Sequence, residues 1–278
     1  MQEEQVERKL KDVKLIASDM DHTLLTEKGE LPPNFDNYIS QLDGLGIDFA
    51  IASGRPLYTL NEVFSKIRGK ISFISDNGGV ISHKGEIIFK SLLDPLAYHA
   101  MIQFVEDNTD GIAILCGLDS AFISKKNKNH ESFLKFFYSN INLVDNLSHI
   151  SVDATKFTIY FPNKNSKKHF EETFKPKYGN TFSVTVGDTI WIDIMNYGID
   201  KGKAMKFLGE RLELTSEQMM AFGDTYNDIE MLEAVEYSYI VKNADEDMKK
   251  HAKFITDSND DFGVTNVIDK LIKMHNLI

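Results

Sequence analysis

Short runs of consecutive apolar residues alternate along this chain with stretches in which apolar positions recur every three or four places. "VKLIAS" (13–18), "IDFAIAS" (47–53) and "ISFIS" (71–75) read as buried strands. Between the first two, Phe35, Tyr38, Ile39, Leu42 and Leu45 fall at helical spacing, and Pro56 suits the opening of a helix before the third. The last third repeats the habit. Helices are predicted over 201–212, 228–235 and 245–252, and strands at "MMAF" (219–222), "YSYIV" (237–241) and "KFIT" (253–256). A closing helix carries Val264, Val267, Ile268, Leu271 and Ile272 on one face. Strands alternating with helices predict parallel βαβ units, hence an α/β fold.

The middle of the chain follows another rule. Helical stretches near 94–107, 130–139 and 165–175 are separated by strand-like runs: "GIAILC", "SAFISK", "KFTIYF", "FSVTV" and "TIWIDIM". Turn signals such as "GLD" and "VGD" between paired runs predict hairpins and an antiparallel sheet. The expected organisation is an α+β insert at 84–187 within an α/β core formed by 1–83 and 188–278.

Composition narrows the partners. The 278 residues include 42% apolar and 26% charged side chains, as in globular proteins. With 31 Lys and Arg against 42 Asp and Glu, the formal charge is -11, which argues against a nucleic-acid partner. No run approaches a membrane span. The opening "MQEEQVERKLKDVK" lacks the apolar centre of a signal peptide, and Cys116 is the single cysteine, so a cytoplasmic location is expected.

Polar residues gather where the core strands end. The first strand ends at Asp19 and Asp21, the second at Ser53, Gly54 and Arg55, the third at Asp76-Asn77-Gly78-Gly79. "MMAF" ends at Gly223-Asp224-Thr225 with Asn227 and Asp228 behind it, "YSYIV" at Lys242-Asn243, and "KFIT" at Asp257-Ser258-Asn259. In a parallel sheet these ends share one edge, where ligands bind. Asp19 and Asp21 repel each other by about 4 kcal/mol at ~4 Å and an effective dielectric near 20. A hard cation would offset this, and Asp224 could close its site; one or two carboxylates with waters and a substrate phosphate suit Mg²⁺. A carboxylate can also attack phosphorus, a step that needs charge screening and donors for the transferring oxygens. Lys201, Ser53 and the backbone at Gly54 fit those needs, and Asp21 could carry the proton. A calcium loop fits less well: Glu30 takes the twelfth place from Asp19, but the sixth is Leu24 rather than glycine. Asn243 and Asn259 could equally be turn formers, and Trp191 and the methionines at 219, 220 and 231 need no role beyond packing.

"DMDHT", "SGRP", "DKGKA" and "GDTYND" occur in the order of the four motifs of the haloacid dehalogenase-like phosphatases, which this chain resembles from about residue 13 to its end. The insert resembles the class IIB cap of the Cof-type subgroup. The resemblance implies a Rossmann-like core, a mobile cap, Mg²⁺, and hydrolysis of a small phosphorylated metabolite through a phospho-aspartate. It makes Asp19 the nucleophile and Asp21 the general acid/base. Ser53 and Lys201 would hold the phosphoryl group. Asp19, the Asp21 carbonyl and Asp224 would bind the metal, with Asp228 in support. Gly54, Asn227 and Asn243 would lie on the phosphate side, and Arg55 at the rim facing the cap. Many members have Gly where His22 stands and Thr where Ser53 stands. A sugar phosphate or a cofactor-type phosphate is the expected substrate, with the cap closing about linkers near 83–90 and 185–190. Two rivals share part of the pattern: a phosphomutase or phosphotransferase, and a receiver-like binding module, which would leave Asp21 and the insert unexplained.

Overall fold

The computed structural model describes residues 10–276; most of the polar opening (1–9) and residues 277–278 lie outside the described residues. In chain order the first strands are β1 (Leu15–Ser18), β2 (Asp48–Ala52), β3 (Ser72–Ser75), β4 (Val80–His83) and β5 (Glu86–Lys90). Then come β6 (Ile112–Gly117), β7 (Ala121–Ser124), β8 (Ile141–Val144), β9 (Ala154–Tyr160), β10 (Phe182–Gly187) and β11 (Trp191–Asn196). The last are β12 (Met219–Gly223), β13 (Tyr237–Val241) and β14 (Phe254–Thr256).

The larger sheet has the order β14-β13-β12-β1-β2-β3-β4-β5, parallel from β14 to β3. β1 lies between β2 and β12, so the chain order reverses at its C-terminal end, the place where α/β sheets bind ligands. The central strands β1, β2 and β12 are covered on both faces, which is why they are almost continuously apolar. Ile16 packs with Phe49, Ile268 and Leu271, under the helix Gly263–Asn276. Leu15 and Ala17 face the other way, toward Met205 and Leu208 of the helix Lys201–Arg211. The second sheet, β10-β11-β9-β6-β7-β8, is packed on one face by the helix Pro95–Asn108 and residues 166–178. Asp94 caps that helix by accepting from Leu96 N at 2.9 Å, with Pro95 in its first turn.

Several expectations are corrected. "VISHKGEIIF" is a hairpin: β4 and β5 extend the larger sheet, turning at Lys84 and Gly85 with φ of 47° and 94°. β11 pairs with β9 and β10, so it belongs to the smaller sheet. The boundaries expected at 84 and 187 therefore move, and the chain crosses between sheets at 91–94 and 197–200 instead of near 83–90 and 185–190. The helix expected over 245–252 is a set of turns with one short helical turn at Lys249–His251. Ala244 and Met248 alone are buried there, too few to form an apolar stripe. The helix expected at 130–139 is one turn, Glu131–Leu134. β8 was not anticipated, and it runs parallel to β7 in an otherwise antiparallel sheet. Among the described residues no helix is long and apolar enough to cross a membrane.

The two crossings are held together. Asn196 Nδ2 donates to Ser91 Oγ at 2.9 Å and to the Leu92 carbonyl at 2.8 Å.

Candidate active site

Asp19 extends β1 by one ladder bond, its N–H donating to the Phe222 carbonyl of β12 at 2.9 Å. The chain then turns sharply, with His22 at φ 60°, a left-handed conformation natural to glycine. Lys201 opens its helix just after the capping Asp200, which accepts from Lys203 N at 2.7 Å. The next residue, Gly202, has no room for a side chain: a Cβ would lie 2.3 Å from the Glu230 carbonyl oxygen. That close approach lets the fully buried Lys201 ammonium reach Asp19 Oδ1 at 2.5 Å and Asp228 Oδ1 at 2.7 Å. The other oxygen of Asp228 accepts from Asp224 N (3.0 Å) and Thr225 N (3.2 Å), fixing the turn after β12. Thr23, which had no assigned role, donates its hydroxyl to Asp224 Oδ1 at 2.7 Å.

One carboxylate oxygen each of Asp19, Asp224 and Asp228 lies within 4.8 Å of the others. Three acids face one lysine, so the cluster is short of positive charge. Burial, with Asp228 and Asp224 adding repulsion, raises Asp19 well above the usual carboxylate range despite Lys201. Burial, then Asp228, pushes Asp224 up to about 7. Burial works against the Lys201 charge, but Asp19 and Asp228 outweigh it and hold the ammonium. A divalent cation fits this donor set, because the donors are oxygens and their excess negative charge is unbalanced. Both oxygens of Asp228 already hold protein donors, so it orients the site while Asp19 and Asp224 have the freer faces. The Asp21 carboxylate is not in this cluster. It forms a bidentate pair with Arg55, Nε to Oδ2 at 2.9 Å and Nη2 to Oδ1 at 2.6 Å.

Arg55 also donates through Nη1 to the Phe136 carbonyl at 2.8 Å, with its guanidinium 5.3 and 5.0 Å from the ring centres of Phe136 and Phe137. It thus ties the core to the insert. Arg55 N donates to Ser53 Oγ at 3.1 Å, leaving the Ser53 hydrogen to donate elsewhere. Asn227 donates to Asn77 Oδ1 at 3.0 Å, and its own Oδ1 is buried without a partner among the described residues. Both polar groups of Asn243 are engaged, with the His22 carbonyl (2.8 Å) and Asn259 N (3.0 Å), so it braces the loop after Asp21. The His22 ring bonds Glu27 at 3.0 Å; burial opposes its charge, but Glu27 raises its pKa overall.

A cavity of about 580 Å³ opens over Asp19, Asp21, Ser53, Gly54, Arg55, Asp224, Asn227 and Asn243. Its opposite wall is aromatic: Phe133, Phe136, Phe137, Tyr138 and Trp191, with the buried Lys156 and Asp193 beside them. Phe133 stacks on Tyr160 at 5.1 Å, and Phe137 meets Trp191 edge-on at 5.0 Å. Trp191, expected only to pack, lines this wall, and no motif in the sequence marks a role for Lys156, Asp193, Asp76 or Asn77. The spacing of Phe133, Phe136 and Phe137 one helical turn apart was the available signal for the wall.

The family model of haloacid dehalogenase-like hydrolases matches residues 16–268. The 5-amino-6-(5-phospho-D-ribitylamino)uracil phosphatase YbjI of Escherichia coli is 28% identical over 271 residues, covering 94% of this chain and 97% of that protein. The crystal structure of SMU.1108c from Streptococcus mutans superposes with a TM-score of 0.88 at 31% identity, covering 94% of this chain and 99% of its own. The subclass IIB sugar phosphatase BT4131 shares the fold, with a TM-score of 0.76 at 21% identity and coverage of 92% and 98%. With its acids and lysine meeting at the reversal point of a parallel sheet, beneath an inserted second sheet, this chain belongs to the haloacid dehalogenase-like hydrolases, as a phosphatase of the Cof type.

Proposed function

We propose that this phosphatase works in the cytoplasm on a small phosphate monoester and passes the phosphoryl group through Asp19. Asp19 and Asp224, with the Asp21 carbonyl, would hold Mg²⁺, which when bound screens the negative charges of nucleophile and phosphate. One Asp19 oxygen attacks phosphorus and the P–O bond to the leaving group breaks, with Asp21 giving its proton to the departing oxygen. Lys201 favours the ionised form of Asp19 and aims it, and the Ser53 hydroxyl donates to a phosphoryl oxygen. Asp21, now a carboxylate, takes a proton from water as that water attacks the phosphorus. The bond between phosphorus and the Asp19 oxygen breaks, which releases phosphate and restores both acids. Because both Asp21 oxygens accept from Arg55, one of those bonds must yield when Asp21 carries a proton.

The observation that carries this reading is the buried Lys201 bridge between Asp228 and Asp19, behind the Asp19 carboxylate that lines the cavity. The opposite wall suggests the substrate class. Acids at one end and aromatic rings at the other suit a phosphate joined by a short polar chain to a flat conjugated ring. Offset stacking on such rings contributes about 0.5–1.5 kcal/mol beyond area burial. The substrate named for the Escherichia coli relative, a phosphorylated ribityl chain on a uracil ring, has this layout.

The test is phosphate release with Mg²⁺ from ring-bearing esters (that uracil, pyridoxal phosphate, flavin mononucleotide) and from ring-free sugar phosphates. We expect turnover lost in Asp19→Asn and with chelator, and kcat/KM at least roughly tenfold higher for the best ring-bearing ester. Equal or better turnover of ring-free esters would remove the substrate class. Unchanged activity in Asp19→Asn would remove the mechanism.

A further inference from the structure

Lys156 sits on the smaller sheet, 2% exposed, yet its ammonium donates to a carbonyl of the catalytic core: Gly54 O, at 2.5 Å. Its charge is balanced on its own sheet by Asp193, at 3.2 Å, and that carboxylate is held by Thr158 Oγ1 at 2.6 Å. From the core, Asn77 Nδ2 donates to the same Asp193 at 2.7 Å. The segment that Lys156 touches is the Ser53-Gly54-Arg55 loop. Asn77 N donates to Ser53 O at 3.0 Å and Asp76 N to Arg55 O at 3.1 Å, both from a turn in which Asp76 and Asn77 are left-handed (φ 51° and 54°). The core thus orients the carbonyls on either side of Gly54. The Gly54 carbonyl between them is held by Lys156. The peptide carrying it also carries the Arg55 N–H, which donates to Ser53 Oγ at 3.1 Å and frees the Ser53 proton for a phosphoryl oxygen. A planar peptide transmits any rotation of its C=O to its N–H.

We propose that Lys156 is a positioning residue through which the inserted domain sets the phosphate loop: its ammonium fixes the Gly54–Arg55 peptide, and that peptide aims the Ser53 hydroxyl. Docking of the insert and readiness of the phosphoryl-binding loop become one event. An open insert carries Lys156 and Asp193 away together, already paired, and leaves the Gly54 peptide free to rotate. This inference rests on the phosphatase reading and goes beyond it.

A double-mutant cycle between Lys156→Met and Ser53→Ala, read in kcat on an aryl phosphate with Mg²⁺, tests it. A lysine that acts through Ser53 predicts that Lys156→Met lowers kcat roughly 10- to 100-fold, the size of one charged hydrogen bond, with KM changing far less. In the Ser53→Ala background the same change should cost no more than about threefold. Lys156→Arg, which keeps a donor at the Gly54 carbonyl, should recover part of the loss. A purely structural ion pair would give the same factor in both backgrounds, and that result would overturn the proposal, as would an unchanged kcat in Lys156→Met. If the single variant melts early because Asp193 is left unpaired, Lys156→Met/Asp193→Asn removes both charges and enters the cycle in its place. The cycle read in orthovanadate affinity by calorimetry requires no turnover and should show the same non-additivity. Wild-type turnover of the ester reports on the phosphatase reading by itself; the ratio between backgrounds reports on Lys156.

Discussion

Replacing Arg55 with lysine keeps a positive charge beside Asp21 but removes the planar fork. In the wild type the guanidinium makes three hydrogen bonds, two to the Asp21 carboxylate and one to the Phe136 carbonyl. A lysine ammonium can keep one bond to a carboxylate oxygen at best. A charged hydrogen bond contributes about 1.5–3 kcal/mol when well buried. The Asp21 side chain is 35% exposed, so solvent screening brings each bond nearer ~1–1.5 kcal/mol. Two lost bonds then give ~2–3 kcal/mol, or roughly 30- to 150-fold in kcat/KM. The two bonds act differently. On the proposed mechanism, loosening Asp21 would harm proton delivery, which an alkyl leaving group needs and a p-nitrophenyl group does not. Losing the Phe136 bond weakens the tie to the insert and affects every substrate. Steady-state kinetics of Arg55→Lys on an alkyl phosphate and on p-nitrophenyl phosphate separate the two. We expect the larger loss on the alkyl ester, carried by kcat, and a smaller loss shared by both. Equal losses on the two esters would refute the idea that Arg55 acts by aiming Asp21.

Three further outcomes follow from the same geometry. Phe133→Ala should raise KM for ring-bearing esters several-fold, about the value of one stacked ring, and leave ring-free esters nearly unchanged; matched kinetics on one ester of each kind decide it. Burial pushes Asp76 up to about 6 against its Lys156 neighbour, so its folded form holds the proton more tightly than the unfolded chain. That stability is full below about pH 4 and lost as pH rises through about 6, so Asp76→Asn, which suits the left-handed backbone there, should gain up to ~3 kcal/mol on the wild type between pH 4 and pH 8 in urea melts. Asp224 follows the same sign, with its carboxyl at about 7 through burial and Asp228, so cation binding must displace a proton at pH 6 but not at pH 8. Saturating Mg²⁺ should therefore raise Tm more at pH 8 than at pH 6, and an equal or reversed difference would count against Asp224 as a ligand.

The parts of the fold most legible in the sequence are those in which one physical rule acts alone. β1, β2, β3, β12 and β13 are buried almost throughout, so their runs are mostly apolar and each ends where the side chains become polar. The core strand ends could be grouped before any contact was known, because parallel strands share one edge. Elements that depend on partners were harder to read. β5 pairs along one side only and carries exposed residues, so its run resembles the start of a new unit. β11 stands next to the return crossing, and only its pairing with β9 shows which sheet owns it. The same holds within the site. Asp19, Asp224 and Lys201 lie in motifs, whereas Lys156 and Asp193 lie in ordinary strand sequence. A lysine and an aspartate 37 positions apart look like surface residues until β9 and β11 are aligned.

The clasp of Asn196 on Ser91 and Leu92 bears on how such an enzyme can be rebuilt. The chain leaves the catalytic half and re-enters it within hydrogen-bonding reach of one side chain, so a hundred-residue passenger occupies a gap that a few residues could bridge. Joining the two stumps there would shorten the chain without stretching its host, and a foreign module with neighbouring termini could be grafted between them.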